Sequence, residues 1–307
     1  MTVGLPVYNG ENYLSQAIDS ILSQTFGDLR LIISDNASVD ATEQICREAA
    51  LSDPRIEYHR QTVNRGAAAN YNFAVDLAGG EYFMWHAHDD LRAPEYLELA
   101  IEAFDRHPKA SIVFSRSERI GPDGARGGEL PRPDDLTSLF PHRRLRAAIA
   151  CPHPDIVLFG LMRLDLLSET GRHGSFKGGD RLLVAEMSLR GEFVEISQPL
   201  FFNRDHPDRY VRMADNRANR SQKRAWWDTA ATGTVSLPRW TGLKGYFTAV
   251  RHSPILDSRE RVRSYASVAA SLFGDRAYLL KQLVRDLGVA SAEALRRLWR
   301  RVSKHGA

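Results

Sequence analysis

The feature that most constrains this chain is the alternation of two hydrophobic periodicities along its first third. TVGLPVY reads as a short buried strand, and in GENYLSQAIDSILSQ the apolar residues Leu14, Ile18, Ile21 and Leu22 recur at helical spacing. LRLIISDN is a second strand, closed by Asp35 and Asn36. SVDATEQICREAAL predicts a helix with Ser38 as its cap and Thr42 and Glu43 in its first turn. The pattern continues with strand IEYHRQ, a loop and helix over NRGAAANYNFAVDLAGG, a fourth strand over EYFMWHAHDD and a helix over PEYLELAIEAFDRHP. Strand and helix alternating in this way imply βαβ units, hence an α/β fold with a mostly parallel sheet sandwiched by helices. In such sheets ligands bind beyond the carboxyl ends of the strands. Four polar clusters fall at those ends: Tyr8-Asn9, Asp35-Asn36, Asn64-Arg65 and Asp89-Asp90.

Further along, ASIVFSRSERI predicts another strand, and the Gly/Pro-rich GPDGARGGELPRP a mobile loop. A basic helix, a strand over HPDIVLFG and a short helix around RLDLLSET are expected next. SFKGGDRLLVAEMSLRG places Asp180 near the start of an apolar helix, and GEFVEISQPLFFNRDHP returns to strand character. From about residue 216 the pattern is mostly helical and basic. This divides the chain into an α/β domain over 1–215 and a helical C-terminal extension over 216–307.

Composition narrows the classes. Hydrophobic residues make up 43% and charged residues 26% of the 307, the balance of a soluble globular protein. The net charge of +3 is too small to suggest nucleic-acid binding across the whole protein. No apolar run approaches a membrane span, and MTVGLPVYNG lacks the basic leader and apolar core of a secretory signal. Cys46 and Cys151 make neither a disulfide framework nor a metal-ligand spacing, so the cytosol is the expected compartment.

The motif with the sharpest chemistry is WHAHDD, residues 85–90. Adjacent carboxylates at a buried strand end repel each other and lose hydration, so a cation, an arginine or water must compensate. The bland reading is a polar strand end whose carboxylates cap a helix or meet solvent. The functional reading is a divalent-cation site, Mg²⁺ or Mn²⁺, for phosphate chemistry. Strand alternation would put His86 and His88 on one face. Asp35 serves equally as an Asx turn or as an acceptor for a nucleotide base or ribose. Arg65 beside Gly66 could approach phosphates. Asp180 is either a helix cap or a general base, and His206 either a turn residue or a metal or phosphate partner. No GxGxxG or GxxxxGK[ST] follows any strand, which argues against dinucleotide-binding dehydrogenases and P-loop NTPases.

Taken in order, PVYNGENYL, SDNASVDAT, NRGAAANYN, EYFMWHAHDD and GGDRLLVAEMSLRG resemble bacterial family 2 glycosyltransferases of the GT-A fold, over about residues 1–210. The resemblance implies an inverting transfer from a nucleoside-diphosphate sugar, UDP-sugar foremost, to an acceptor hydroxyl. Pro6, Tyr8, Asn9 and Glu11 would line the nucleotide pocket, Asp35 would recognise the base, and Arg65 would approach the diphosphate. Asp89 and Asp90, with His206, would hold Mn²⁺ or Mg²⁺, and Asp180 would be the catalytic base. One departure stands out: Ala87 occupies the position of the first aspartate of the family's DXD signature. The acceptor would be a carbohydrate, glycolipid or small molecule. A non-catalytic sugar-nucleotide or carbohydrate-binding module and a nucleotidyltransferase are the rival classes.

The C-terminal third is read alone. In SAEALRRLWRRVSKH, Leu295, Leu298, Trp299 and Val302 share one side, and Arg296, Arg297, Arg300 and Arg301 dominate the rest. A helical cap on the catalytic domain, peripheral contact with an anionic membrane surface and a homodimer interface all suit such a segment.

Overall fold

The computed structural model describes residues 1–132, 134–207, 209, 227, 229, 237–273, 284, 285, 287, 288 and 291. The alternating pattern becomes a single twisted sheet. β1 (Thr2–Val7), β2 (Arg30–Asp35), β3 (Ile56–Arg60) and β4 (Tyr82–Trp85) run parallel in the order β3-β2-β1-β4. The sheet then continues through β8 (Leu161–Arg163), β6 (Ala110–Ile120), β9 (Glu192–Arg204) and β5 (Leu91–Arg92). β8 is antiparallel to both its neighbours, and β6 pairs with β9 in parallel. β7 (Arg126–Glu129) pairs with β6 off this path.

Period-two alternation sorts the side chains into two cores. Leu31, Ile33, Tyr82, Met84 and Val113 face one side with α1 (Leu14–Leu22), α2 (Thr42–Ser52) and α4 (Tyr96–Arg106). Ile32, Phe83, Trp85, Ile112 and Phe114 face the other. That side is covered by α3 (Ala67–Asp76), α5 (Pro141–Ala150), α6 (Pro154–Leu158) and α8 (Gly179–Ser188). α7 (Leu164–Ser168) follows β8 directly. Beyond residue 236, α9 (Pro238–His252) packs on α8 and α10 (Ser258–Phe273) on α5. Tyr246, Ala249, Val250, Leu256 and Val268 thereby join the second core. The boundary expected at 215/216 and the last basic helix fall outside the described residues.

Several local expectations are corrected. HPDIVLFG is not a strand: Pro154–Leu158 is helical, with Pro154 in its first turn, and the strand begins at Leu161. GPDGARGGELPRP is not a loop throughout, because Arg126–Glu129 pairs back on β6 around a turn closed by Gly121 and Ala125. β4 stops at Trp85, so residues 86–90 form a turn and the alternation of His86 and His88 does not apply. α2 starts at Thr42, and Ser38 does not cap it. The Ser38 hydroxyl instead accepts the Asn9 N–H at 2.9 Å.

Among the described residues no helix is long and apolar enough to cross a membrane.

Candidate functional site

The carboxyl ends of β1, β2 and β4 meet at one edge, as parallel neighbours must. Pro6 sits buried in β1 opposite Ser34, beyond the last residue that pairs with β4, where its missing N–H leaves no gap on that side. Tyr8 and Asn9 follow, both exposed. Asn9 has φ 52° and Ala37 φ 62°, so both loops of this edge carry a left-handed residue. Asparagine tolerates that conformation readily, whereas alanine pays a Cβ clash of about 1 kcal/mol. The two loops are tied together: Val39 N–H donates to Asn9 Oδ1 at 3.0 Å, and Ala41 N–H donates to Glu11 Oε2 at 3.0 Å. Glu11 thus braces the start of α2.

Asp35 is fully buried at the end of β2. Its Oδ1 accepts the Ser38 N–H at 2.8 Å, its Oδ2 accepts the Tyr58 hydroxyl at 2.8 Å, and Arg60 Nε lies 3.6 Å away. Burial, with the carboxylate beside it, pushes the Tyr58 phenol far above its ordinary range. Next to it the Asn36 amide holds the third loop, accepting Arg65 N–H at 2.9 Å and donating to Asn64 Oδ1 at 3.0 Å. Gly66, φ 87°, then turns the chain into α3 in a conformation that favours glycine. Arg65 itself is exposed at this edge.

Asp89 and Asp90 lie in the turn after β4 and meet the end of β9. Asp89 Oδ2 lies 2.9 Å from His206 Nε2. Burial alone would raise the Asp89 carboxyl, but His88, His206 and Arg209 outweigh it and hold this carboxyl well below the usual range. Asp90 accepts the Arg204 backbone N–H at 2.8 Å and faces Asn203 Nδ2 at 3.2 and 3.3 Å. Burial and the neighbouring Asp89 push Asp90 well above the ordinary value. The expected donor set of Asp89, Asp90 and His206 is therefore only partly assembled. Asp89 and His206 face each other, while Asp90 is taken up by β9, which runs antiparallel to β5 beside it. Among the described residues no three His, Cys, Asp or Glu side chains group so as to hold a metal ion. Asp89 with His206 still suits a divalent cation whose remaining ligands are phosphate and water oxygens. Among the described residues His206 Nδ1 is buried without a hydrogen-bond partner, and the ring packs against Tyr13 at 4.9 Å between centroids.

His86 is not part of this constellation. It is fully buried with Nε2 3.4 Å from the Ser20 hydroxyl, and burial lowers its imidazole well below the ordinary value, so it stays neutral.

Asp180 stands in the first turn of α8, capped by Gly178 and not by itself. A tight loop brings it back: a Cβ on Gly179 would meet the Gly174 carbonyl oxygen at 2.3 Å, so only glycine permits this backbone contact. Asn72 clamps the loop's other end, donating to the His173 carbonyl at 3.0 Å and accepting its N–H at 3.0 Å. The His173 ring is buried between Tyr71, 4.9 Å between centroids, and Trp227, 5.4 Å. Loss of hydration raises the Tyr71 phenol, and the charges of Asp89, Asp90 and Asp180 all raise it further. Tyr71 thus stands in the field of the Asp89–Asp90 pair of the β4 turn and of Asp180 in α8.

Sequence reasoning missed four contributors. Tyr58, His173, Asp155 and Arg209 carry no motif signal, although Arg209 follows His206 within the quoted NRDHPDRY. Asp155 was hidden in a segment misread as a strand. It lies 3.4 Å from both Asn203 Nδ2 and Arg209 Nη2.

With this geometry in view, the similarity to known proteins is decisive. The model of glycosyl transferase family 2 matches residues 2–178, more than half of the chain. The chain belongs to this family. A Rickettsia typhi protein named as an uncharacterized glycosyltransferase is 33% identical over 113 residues, 37% of this chain and 34% of its own length. The chondroitin synthase of Escherichia coli is 28% identical over 156 residues, 50% of this chain and 22% of the synthase. The chain thus spans about a third or less of these relatives. Among solved structures, Staphylococcus aureus TarS 1–349 in complex with UDP-GlcNAc superposes with a TM-score of 0.64 at 14% identity, covering 95% of this chain and 80% of that one. The Pyrobaculum calidifontis mannosyltransferase PcManGT, in complex with GDP-Man and Mn²⁺, gives 0.51 at 19% identity, covering 97% and 87%. Both likenesses establish the GT-A fold for this family 2 member.

Proposed function

We propose that this chain is a glycosyltransferase that moves a sugar from a nucleoside-diphosphate sugar, a UDP-sugar foremost, to an acceptor hydroxyl with inversion at the anomeric carbon. The observation that carries the reading is the meeting at one sheet edge of a buried, hydrogen-bonded Asp35 and the Asp89–His206 pair, with the loop-held Asp180 acting on the same Tyr71 as Asp89. Family membership and the nucleotide sugars bound by TarS and PcManGT support it.

In this reading Tyr8, Asn9 and the Asp35 loop receive the nucleoside, and the exposed Arg65 approaches the diphosphate. Asp89 and His206 would hold Mn²⁺ or Mg²⁺, which when bound supplies positive charge to the departing diphosphate. Asp90 serves that pair by fixing Asn203 and Arg204. Asp180 takes the proton from the acceptor hydroxyl. The acceptor is a carbohydrate, a glycolipid or a small molecule met on the cytoplasmic side. The basic surplus after Lys281 suits an anionic membrane surface, and a homodimer is the other use of that segment.

The test is calorimetric titration with UDP, dTDP, GDP and CMP, each with and without Mn²⁺, alongside a donor-hydrolysis assay. One nucleotide should bind tightly with metal and weaken in Asp89→Ala. Asp180→Asn should keep that binding within about threefold while losing turnover by about 100-fold or more. Unchanged turnover in Asp180→Asn would remove it as the base. Nucleotide binding without turnover in the unaltered chain would favour a sugar-nucleotide-binding module.

A further inference from the structure

Two buried carboxylates, Asp89 and Asp90, occupy the turn after β4 with the half-buried Asp155 of α6 beside them, and the chain brings its own cation to this group. Asp90 is bonded through Asn203 Nδ2, at 3.2 and 3.3 Å, to the end of β9. The same Nδ2 lies 3.4 Å from Asp155 Oδ2. That oxygen is 3.4 Å from Arg209 Nη2, and the Arg209 and Asp155 side chains are only 20% and 26% exposed. The guanidinium thus stands one side chain away from Asp90, on the α6 side of the cluster. Asp89 lies on the other side, against His206. Arg209 and Asp155 are the residues of this group that carry no motif signal in the sequence.

We propose that Arg209 is a resident counter-ion of this acid cluster. It pairs with Asp155 while the donor site is empty, and its charge opposes the entry of a free divalent cation at Asp89 and His206. The inference rests on reading this edge as the donor site. Its physical basis is simple. A guanidinium cannot lose its proton at any physiological pH, so its charge is permanent. A dication held at Asp89 and His206 meets that charge through partly buried protein, where repulsion is weakly screened. Once a nucleoside diphosphate brings two or more negative charges, the cluster can hold both cations. Metal binding and nucleotide binding then become coupled, each improving the other.

The test uses the full chain and Mn²⁺ alone, followed by electron paramagnetic resonance of the free ion, for the unaltered protein, Arg209→Gln and Arg209→Lys. Thermal unfolding checks that each variant is folded. Arg209→Gln is expected to bind Mn²⁺ about tenfold more tightly without nucleotide, the effect of removing one like charge at this range. Arg209→Lys, which keeps the charge, should stay near the unaltered protein. Titration of UDP in the presence and absence of saturating Mn²⁺ should show that their mutual enhancement shrinks in Arg209→Gln. Equal or weaker Mn²⁺ binding by Arg209→Gln, including no binding by either protein, overturns the inference. An equal gain in Arg209→Lys overturns it too, because the effect is then steric. If UDP fails to bind to any of the three while the Mn²⁺ shift is seen, the donor-site reading fails and the counter-ion role stands.

Discussion

At the scale of single residues, the site depends on a backbone contact that no side chain makes. Gly179 lies so close to Gly174 that a Cβ would meet its carbonyl oxygen at 2.3 Å and its carbonyl carbon at 2.8 Å. The neighbour is backbone and cannot rotate away. Gly179→Ala is therefore expected to displace Asp180 and lower turnover by about 100-fold, since an ångström of misplacement costs about that much. Nucleotide affinity, measured by calorimetry, should change by less than about threefold, because Asp35, Arg65 and Asp89 belong to other loops. Equal loss of binding and turnover would mean that the 174–179 loop also shapes the donor pocket. Asp180 was visible in the sequence through its position after two glycines and before an apolar helix. The reason for those glycines was not, because Gly174 meets Gly179 only once the loop has closed.

At the scale of elements, the two described C-terminal helices are part of the second core. Val268 in α10 is fully buried against the layer that includes α5, and Glu260 reaches His142 of α5 at 2.8 Å. Val268→Ala should cost about 2 kcal/mol of stability from lost methyl burial and the cavity left behind. Hydrogen exchange should quicken in α5 and α10 together, and faster exchange confined to α10 would show that it docks independently. The link between them is also sensitive to acid. Glu260 is partly raised by burial, but His142 and Arg263 lower it on balance. A carboxylate held low stabilises the fold above its unfolded value and loses that contribution as pH falls through its folded value. Protection of α10 should therefore decline below about pH 4, and less so in Glu260→Gln.

Helix and strand types were readable wherever the apolar period was long, as in α4 and β6. The reading failed where a short apolar run could be either type. HPDIVLFG became α6 because Pro154 suits a first helical turn, and the hydrogen bonds of the strand region were taken by Leu161–Arg163. EYFMWHAHDD lost its strand after Trp85 because β1 pairs with β4 only as far as Gly4.

For the whole molecule, two buried histidines make stability depend on pH in the neutral range. Burial lowers the imidazoles of His86 and His173, in both cases as the largest effect. Below about pH 6.5 the unfolded chain takes up two protons that the folded chain refuses. Each histidine should lower stability by up to about 1.4 kcal/mol per pH unit as pH falls, and Asp90, whose carboxyl is raised in the fold, offsets part of that loss. Urea denaturation between pH 7 and pH 5 would measure this, and His173→Phe should lower the slope by one histidine's share. An unchanged slope in that variant would mean that His173 accepts its proton in the folded state.

The sequence by itself determined the layered α/β architecture and the edge at which its polar clusters meet, because hydrophobic periodicity and strand direction are local properties that survive without any knowledge of packing. It also marked Asp35, Asp89 and Asp180, each at a strand end or a helix start. Only the tertiary structure decided how the charges are partnered. Asp90 turned to Asn203 and Arg204, Asp89 to His206, and Arg209 to Asp155, across separations of 113, 114, 117 and 54 residues. Such pairings depend on which strands become neighbours in the sheet, and that is settled by the packing of the whole core.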